Sequence, residues 1–207
     1  VTVDVTLKAE IEAVIGASGS GKSAYIKGEV RRRKPKRLLI YDPEGEYQAF
    51  GRQVSKMSEV HSILLQAQGG KGFKVVFCPH ADPKKAAAQF NLLCRLAFEA
   101  GHLLFVAEEL ADVTTPSHAP AGWSMMTRRG RKRGVSIIGA TQRPANIDKN
   151  FLGNCSAVRS GRLMYEEDAR AVAKVLGVDY RDFLSMEPLH FVRREPPGAA
   201  VRGVMTF

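Results

Sequence analysis

The chemistry-bearing part of this sequence starts at Gly16. From there to Ser23 it reads GASGSGKS, which fits the pattern G-x-x-x-x-G-K-[ST] in full. Glycines at these spacings let the backbone turn tightly, so that successive N–H groups point inward at phosphate oxygens. A helix starting at Lys22 would add its free N–H groups and the positive end of its dipole. Lys22 would then reach the β- and γ-phosphates, and the Ser23 hydroxyl would ligate Mg²⁺. Gly16, Ala17, Ser18, Gly19, Ser20, Gly21, Lys22, Ser23 and Ala24 are thus the expected cradle of a nucleoside triphosphate such as ATP. A glycine-rich turn with a chance lysine is the alternative. It does not account for the apolar strand before the loop and the helix after it.

Two later segments bring polar groups to strand ends. In HLLFVAEEL, a run from Leu103 to Ala107 delivers Glu108 and Glu109. Ligands of open α/β sheets bind at the C-terminal ends of strands. Glu108 would hold Mg²⁺, directly or through water, and Glu109 would polarise the attacking water. The competing reading is a helix start, where carboxylates complement the dipole. In VSIIGATQRP the strand ends at Thr141-Gln142-Arg143. The Gln142 amide suits a neutral sensor of the γ-phosphate or the lytic water; its bland alternative is a turn amide before Pro144.

These groups need a scaffold that aligns strand ends. Apolar runs bounded by turn signals predict strands at Ile11–Ile15, Leu38–Tyr41, Phe73–Cys78, Leu103–Ala107, Val135–Ala140 and Ala157–Arg159. Helices are expected at Lys22–Arg33, Ser58–Ala67, Pro83–Ala100, Gly122–Arg133, Ile147–Leu152 and Glu166–Leu176. In the third of these, Ala87, Phe90, Leu93, Cys94 and Ala97 share one face. The alternation predicts an α/β fold with a parallel, doubly wound sheet flanked by helices. A short C-terminal β hairpin is expected from Leu189–Arg193 and Ala200–Phe207, and residues 1–207 read as one domain.

Bulk composition agrees. The 207 residues are 44% hydrophobic and 25% charged, ordinary for a soluble globular chain. No apolar run approaches a membrane span, so no membrane insertion is expected. Cys78, Cys94 and Cys155 lack metal-ligand spacing and read as buried thiols in a reducing compartment. Thirty-one Lys and Arg against 21 Asp and Glu give +10, concentrated in KGEVRRRKPKR (Lys27–Arg37) and RRGRKR (Arg128–Arg133). Such clustering suits a polyanion, nucleic acid first; cations at helix C-termini are the plain alternative.

One stretch stands apart. RLLIYDPEGEYQAF (Arg37–Phe50) ends an apolar strand in Asp42, Glu44 and Glu46 within a basic chain. Its YDPEGEY resembles the second-strand signature of the HerA/FtsK superfamily of DNA-pumping ATPases. GRKRGVSIIGATQRP and NIDKNFLGNCSAVRSGRL continue the likeness, which covers roughly Ile11 to Leu163. The resemblance implies a RecA-like P-loop core, ATP and Mg²⁺ as ligands, and ATP hydrolysis at the subunit interfaces of a homo-oligomeric ring. That ring, a pentamer or hexamer, would move double-stranded DNA irrespective of sequence. It also implies that Asp42 and Glu46 lie beside the nucleotide. The shortness of the chain around this core points to the minimal members, the genome-packaging ATPases of membrane-containing icosahedral viruses. Capsid vertex or portal proteins would then be partners, and the host cytoplasm and virion packaging vertex the location. If Val1 and Phe207 are not natural ends, a cellular translocase or helicase core, cytoplasmic, fits as well.

A ring implies an arginine finger, whose guanidinium neutralises transition-state charge. Arg128, Arg129, Arg131, Arg143, Arg159 and Arg162 compete; the match of GRKRG to the family stretch favours Arg131, then Arg143. Two other classes stand beside the DNA motor. A phage assembly or secretion ATPase shares parts of the signature but usually carries a transmembrane helix. A small-molecule P-loop kinase is disfavoured by Glu108-Glu109, by Gln142 and by the lack of a substrate lid.

Overall fold

The run LLFVA at Leu103–Ala107 is apolar at every position and buried at every position, as a strand covered on both faces must be. The computed structural model describes residues 9–206, and such runs form its centre. In chain order the strands are β1 (Ile11–Ile15), β2 (Arg37–Tyr41), β3 (Arg52–Val54), β4 (Phe73–Phe77), β5 (Leu103–Ala107), β6 (Val135–Thr141), β7 (Ala157–Ser160), β8 (His190–Arg194) and β9 (Val201–Val204). They make one sheet in the order β3-β4-β2-β5-β6-β1-β7-β8-β9. The first seven positions are parallel, and β8 and β9 close the sheet antiparallel. The expected C-terminal hairpin is this last pair; Phe207 lies outside the described residues, as do residues 1–8.

The helices are α1 (Lys22–Arg33), α2 (Met57–Gln66), α3 (Pro83–Ala100), α4 (Ala121–Arg129), α5 (Lys149–Asn154), α6 (Glu166–Leu176) and α7 (Arg181–Leu184). They divide unequally between the faces. Ile26 and Val30 of α1 pack with Val14, Ile40, Val106 and Ile138 on one side. Helices α2 to α7 bury their apolar stripes on the other, with Phe90, Trp123, Phe151 and Phe183 fully enclosed. On the α1 side, Tyr47 and Phe50 from the loop after β2 cover the sheet in place of a second helix. The sheet is therefore wound on both faces, but lopsidedly.

Two expectations change in detail. The predicted helix Gly122–Arg133 breaks at Arg129, and Gly130–Arg133 forms a 3₁₀ turn that ends at Gly134 with φ 67°. The predicted helix Ile147–Leu152 begins at Lys149, because Asp148 caps it by accepting from the Asn150 amide at 3.0 Å. Of the cysteines only Cys94 is fully buried; Cys78 and Cys155 are half-buried, and all three are free thiols. Among the described residues no helix is long and apolar enough to cross a membrane.

Candidate nucleotide site

Parallel pairing fixes where the polar groups meet. In register, β1 runs beside β6 and β6 beside β5, so Ile15 lies level with Thr141 and Ala107 with Gly139. The phosphate loop, Glu108-Glu109 and Gln142 thus leave the sheet at one end. Gly16, Gly19 and Gly21 have φ of 153°, 75° and 88°, a region that L side chains rarely enter. The loop is tied down by Gly16 N donating to Thr141 O at 3.2 Å and Ala17 N to Arg162 O at 2.8 Å. A Cβ on Gly16 would lie 2.4 Å from Ser20 Oγ. Gly16 and the buried Ser20 therefore form the underside of the loop rather than its binding surface.

The other expected cradle residues face a cleft of ≈ 380 Å³ lined by Ala17, Ser18, Gly19, Gly21, Lys22, Ser23 and Ala24. Glu44, Glu46, Glu109 and Gln142 close its opposite wall. Larger cavities of ≈ 510 and ≈ 580 Å³ lie elsewhere. Neither borders the phosphate loop, so chemistry and not size selects this cleft.

The placement of Asp42 and Glu46 explains the acidic stretch after β2. Glu46 lies 3.3 Å from Lys27 Nζ, and the Ser23 hydroxyl and Lys27 hold its carboxyl below the usual range despite partial burial. Asp42 is not a wall of the cleft. It is fully buried, and its two oxygens accept from the amides of Glu46 (3.0 Å) and Tyr47 (2.9 Å). It braces the loop that presents Glu46, so of the two acids expected beside the nucleotide only Glu46 lines the cleft.

Glu108 is buried and accepts from the Tyr47 hydroxyl. Burial pushes its carboxyl up to about 7, against the opposing pull of Tyr47 and Lys22, while Glu109 and Glu46 add to the rise. Glu109 sits in the left-handed region at φ 47°, and its Oε1 accepts from Gln142 Nε2 at 2.8 Å. A non-glycine residue held there signals local strain of order 1 kcal/mol, stored where chemistry is expected.

The candidate arginines occupy four different places. Arg143 stands beside the phosphate loop, bordering a ≈ 360 Å³ cavity with Ala17, Ser18, Gln142 and Arg162. Its Nε donates to Asp168 at 2.7 Å and its guanidinium lies 4.3 Å from the Tyr165 ring centroid. Arg131 is on the 3₁₀ turn before β6, at the other end of the sheet, with Nη2 on the Asn154 carbonyl at 2.8 Å. Arg159 is buried between Tyr25 and Phe191, and burial lowers it to about 10. The exposed Arg128 and Arg129 end α4.

Comparison with known proteins places the chain in a family. No family model matches the chain. Protein P9 of Pseudoalteromonas phage PM2 is 30% identical over 188 residues, which are 89% of this chain and 83% of P9. The chain belongs to the P9 family. Among solved structures, the genome packaging NTPase B204 from Sulfolobus turreted icosahedral virus 2, in complex with AMPPCP, matches with a TM-score of 0.72 at 16% identity. The match spans 96% of this chain and 98% of B204. VirB4 of Thermoanaerobacter pseudethanolicus gives 0.71 at 11% identity, over 95% and 89%. At these identities the likeness is one of fold, and that fold is the P-loop NTPase. The resemblance to the HerA/FtsK ATPases and their viral members, drawn from the motifs, stands with these relatives.

Two residues of this P9-family site escape a reading by motif. Tyr47 lies inside YDPEGEY, yet nothing in the spacing ties it to Glu108, 61 positions away. Asp168 sits in the EED run that opens α6 and reads as helix-dipole acid. In the structure it is buried, and it accepts from Arg143 and from the Ala145 amide at 2.9 Å.

Proposed function

We propose that this P9-family chain is an ATPase that moves double-stranded DNA during viral genome packaging, acting in a homo-oligomeric ring. One observation carries the reading. A phosphate loop, a carboxylate pair and a sensor amide converge on one cleft, with Glu109 already hydrogen-bonded to Gln142. The description of B204 as a genome packaging NTPase supports the packaging setting.

The chain's own groups divide the work of hydrolysis. Backbone N–H groups of residues 17–24 and Lys22 hold the triphosphate. Glu109 takes a proton from the attacking water as it adds to the γ-phosphorus, and the bond to the ADP oxygen breaks. Gln142 orients Glu109 or that water through its amide. Mg²⁺ fits the donor set: the Ser23 hydroxyl and Glu46, which line the same cleft, with Glu108 nearby, offer the hard oxygens this ion prefers. When bound, it would neutralise charge on the β- and γ-oxygens. Capsid vertex or portal proteins are the docking partners this role requires.

Steady-state ATPase with and without duplex DNA tests the proposal. Turnover that rises with duplex of any sequence is expected. Turnover indifferent to DNA would overturn the motor and favour a phage assembly or secretion ATPase.

A further inference from the structure

The two basic stretches, far apart in sequence, meet at one end of the sheet. Helix α1 leaves the phosphate loop and runs back down the sheet for 12 residues, about 18 Å at 1.5 Å per residue. Its last turn is Arg31, Arg32 and Arg33. The second stretch ends α4 and forms the turn that leads into β6. Both reach the N-terminal ends of the parallel strands. Arg33, Lys36, Arg37, His102 and Gly134 line one ≈ 510 Å³ cavity there. His102 N donates to Arg133 O at 2.8 Å across the junction.

Several of these cations already have work. Arg33 contacts Glu10, Glu12 and Glu29, and Arg32 contacts Glu29. Arg131 holds the Asn154 carbonyl, and Arg133 holds those of Phe98 and Glu99 at the end of α3. Lys34, Lys36, Arg128, Arg129 and Lys132 are exposed and make no ion pair among the described residues. Arg37 lies over the Phe73 ring at 5.0 Å, and its Nε finds no acceptor among the described residues. The protein leaves this end of the sheet positive. The opposite end carries Glu44, Glu46, Glu108 and Glu109 around the cleft.

We infer that the N-terminal end of the sheet, through Lys34, Lys36, Lys132 and the exposed arginines of α4, is the surface that grips the phosphate backbone of duplex DNA. The inference rests on the proposed motor function and adds the face it uses. A polyanion is drawn to the uncompensated cations and repelled from the acidic rim. The five residues of β1 separate the two ends by about 16 Å at 3.3 Å per residue. That exceeds the screening length of about 8 Å at physiological salt, so charge changed at one end is weakly felt at the other. The residues gathered at this end are lysines and arginines, which take phosphates, so the grip is on the backbone and indifferent to sequence.

The test is duplex binding by fluorescence anisotropy across a salt series, using the full chain and two unrelated duplexes. Lys34→Glu/Lys36→Glu/Lys132→Glu is compared with Lys84→Glu/Lys85→Glu/Lys149→Glu, an equal charge change on exposed residues that start α3 and α5 at the nucleotide end. The first triple should lose affinity on the order of a hundredfold at 0.1 M salt, and its salt slope should shrink by about 0.9 for each phosphate it no longer neutralises. The second should stay within about threefold of the parent, since its lysines neutralise no phosphate. Lys132→Gln alone should lower the slope by about 0.9, the share of a single phosphate. Both triples should keep the parent's affinity for an ATP analogue and its DNA-free turnover. Equal weakening in the two triples, or parent-like binding by the first, would overturn the assignment while leaving the motor standing. No salt-sensitive duplex binding by the parent would overturn both.

Discussion

Gln142 donates its side-chain amide to Glu109 Oε1 at 2.8 Å, joining the ends of two adjacent strands. Glu109, whose backbone is left-handed, lines the cleft with Gln142 opposite the phosphate loop. A γ-phosphate entering that cleft competes for the same amide. Under the proposed mechanism the pair would be the contact through which the nucleotide state reaches Glu109. Gln142→Ala should lower kcat about tenfold or more, as loss of positioning does, with little change in KM. Steady-state kinetics decides it; a rise in KM at constant kcat would make Gln142 a binding group instead.

Glu109→Gln keeps the shape and an oxygen to accept from Gln142, and loses the base. Binding of ATP should persist while turnover falls by about 10²–10⁴. An ATP-analogue titration beside a single-turnover assay separates the two. If Glu108→Gln gave this phenotype instead, the roles within the acidic pair would be exchanged.

Glu108 also carries a pH signature. Its carboxyl is raised from 4.5 to about 7 by burial. Between those values the folded chain holds a proton that the unfolded chain has released, so stability falls as pH rises through that window and is level above it. Glu108→Gln removes the effect. At about 1.4 kcal/mol per pKa unit, the nucleotide-free variant should be more stable than the parent at pH 8 by no more than about 3.5 kcal/mol, the gap closing near pH 4.5. Thermal melts of both proteins at several pH values measure it. The same variant should need more Mg²⁺ for turnover.

Much of this was legible in the sequence because parallel strands buried on both faces read as apolar runs, and phosphate loops have a fixed spacing. Strand β3 was not. Its Arg52 and Gln53 are exposed and only Val54 reaches the core, so beside its backbone pairing with β4 it leaves too little hydrophobic trace to read. Helix α7 is four residues long, too short for periodicity to show. Asp42 was legible as an acid but not as a brace, since its role is set by two amides that only the folded loop brings round to it. Tyr47 and Asp168 work through partners distant in sequence, which no local pattern encodes.

Arg143 is fixed beside its own phosphate loop by Asp168 and Tyr165. Arg143→Ala should lower turnover within its own subunit, so mixing with Lys22→Ala subunits should not restore activity. Arg131→Ala should regain activity on mixing if Arg131 reaches a neighbour's nucleotide. Asp168→Asn loses an acceptor for the Arg143 guanidinium and should reproduce part of the Arg143→Ala defect in kcat. A mixing series of the four variants, read as ATPase, tells them apart.

The last expectation concerns Gly139, in the middle of β6 behind the acidic pair. A Cβ there would lie 2.5 Å from Phe151 Cζ and 2.8 Å from Leu110 Cδ1. Both neighbours are fully enclosed, so neither has room to yield cheaply. Overpacking of this kind costs about 1–3 kcal/mol, a fall in Tm of about 2–4 °C per kcal/mol for a chain this long. Leu110 directly follows Glu109, whose backbone is already in a disfavoured region. Relief by moving Leu110 would therefore shift Glu109, the proposed base, and a 1 Å misplacement can cost about a hundredfold in rate. Gly139→Ala should lose far more kcat than stability, while nucleotide affinity, set by the phosphate loop on β1, changes little. A melt, an analogue titration and a kcat measurement on the same preparation give the three numbers. A variant destabilised as expected but fully active would mean that Phe151 moves and Leu110 does not, freeing the acidic pair from the core behind it.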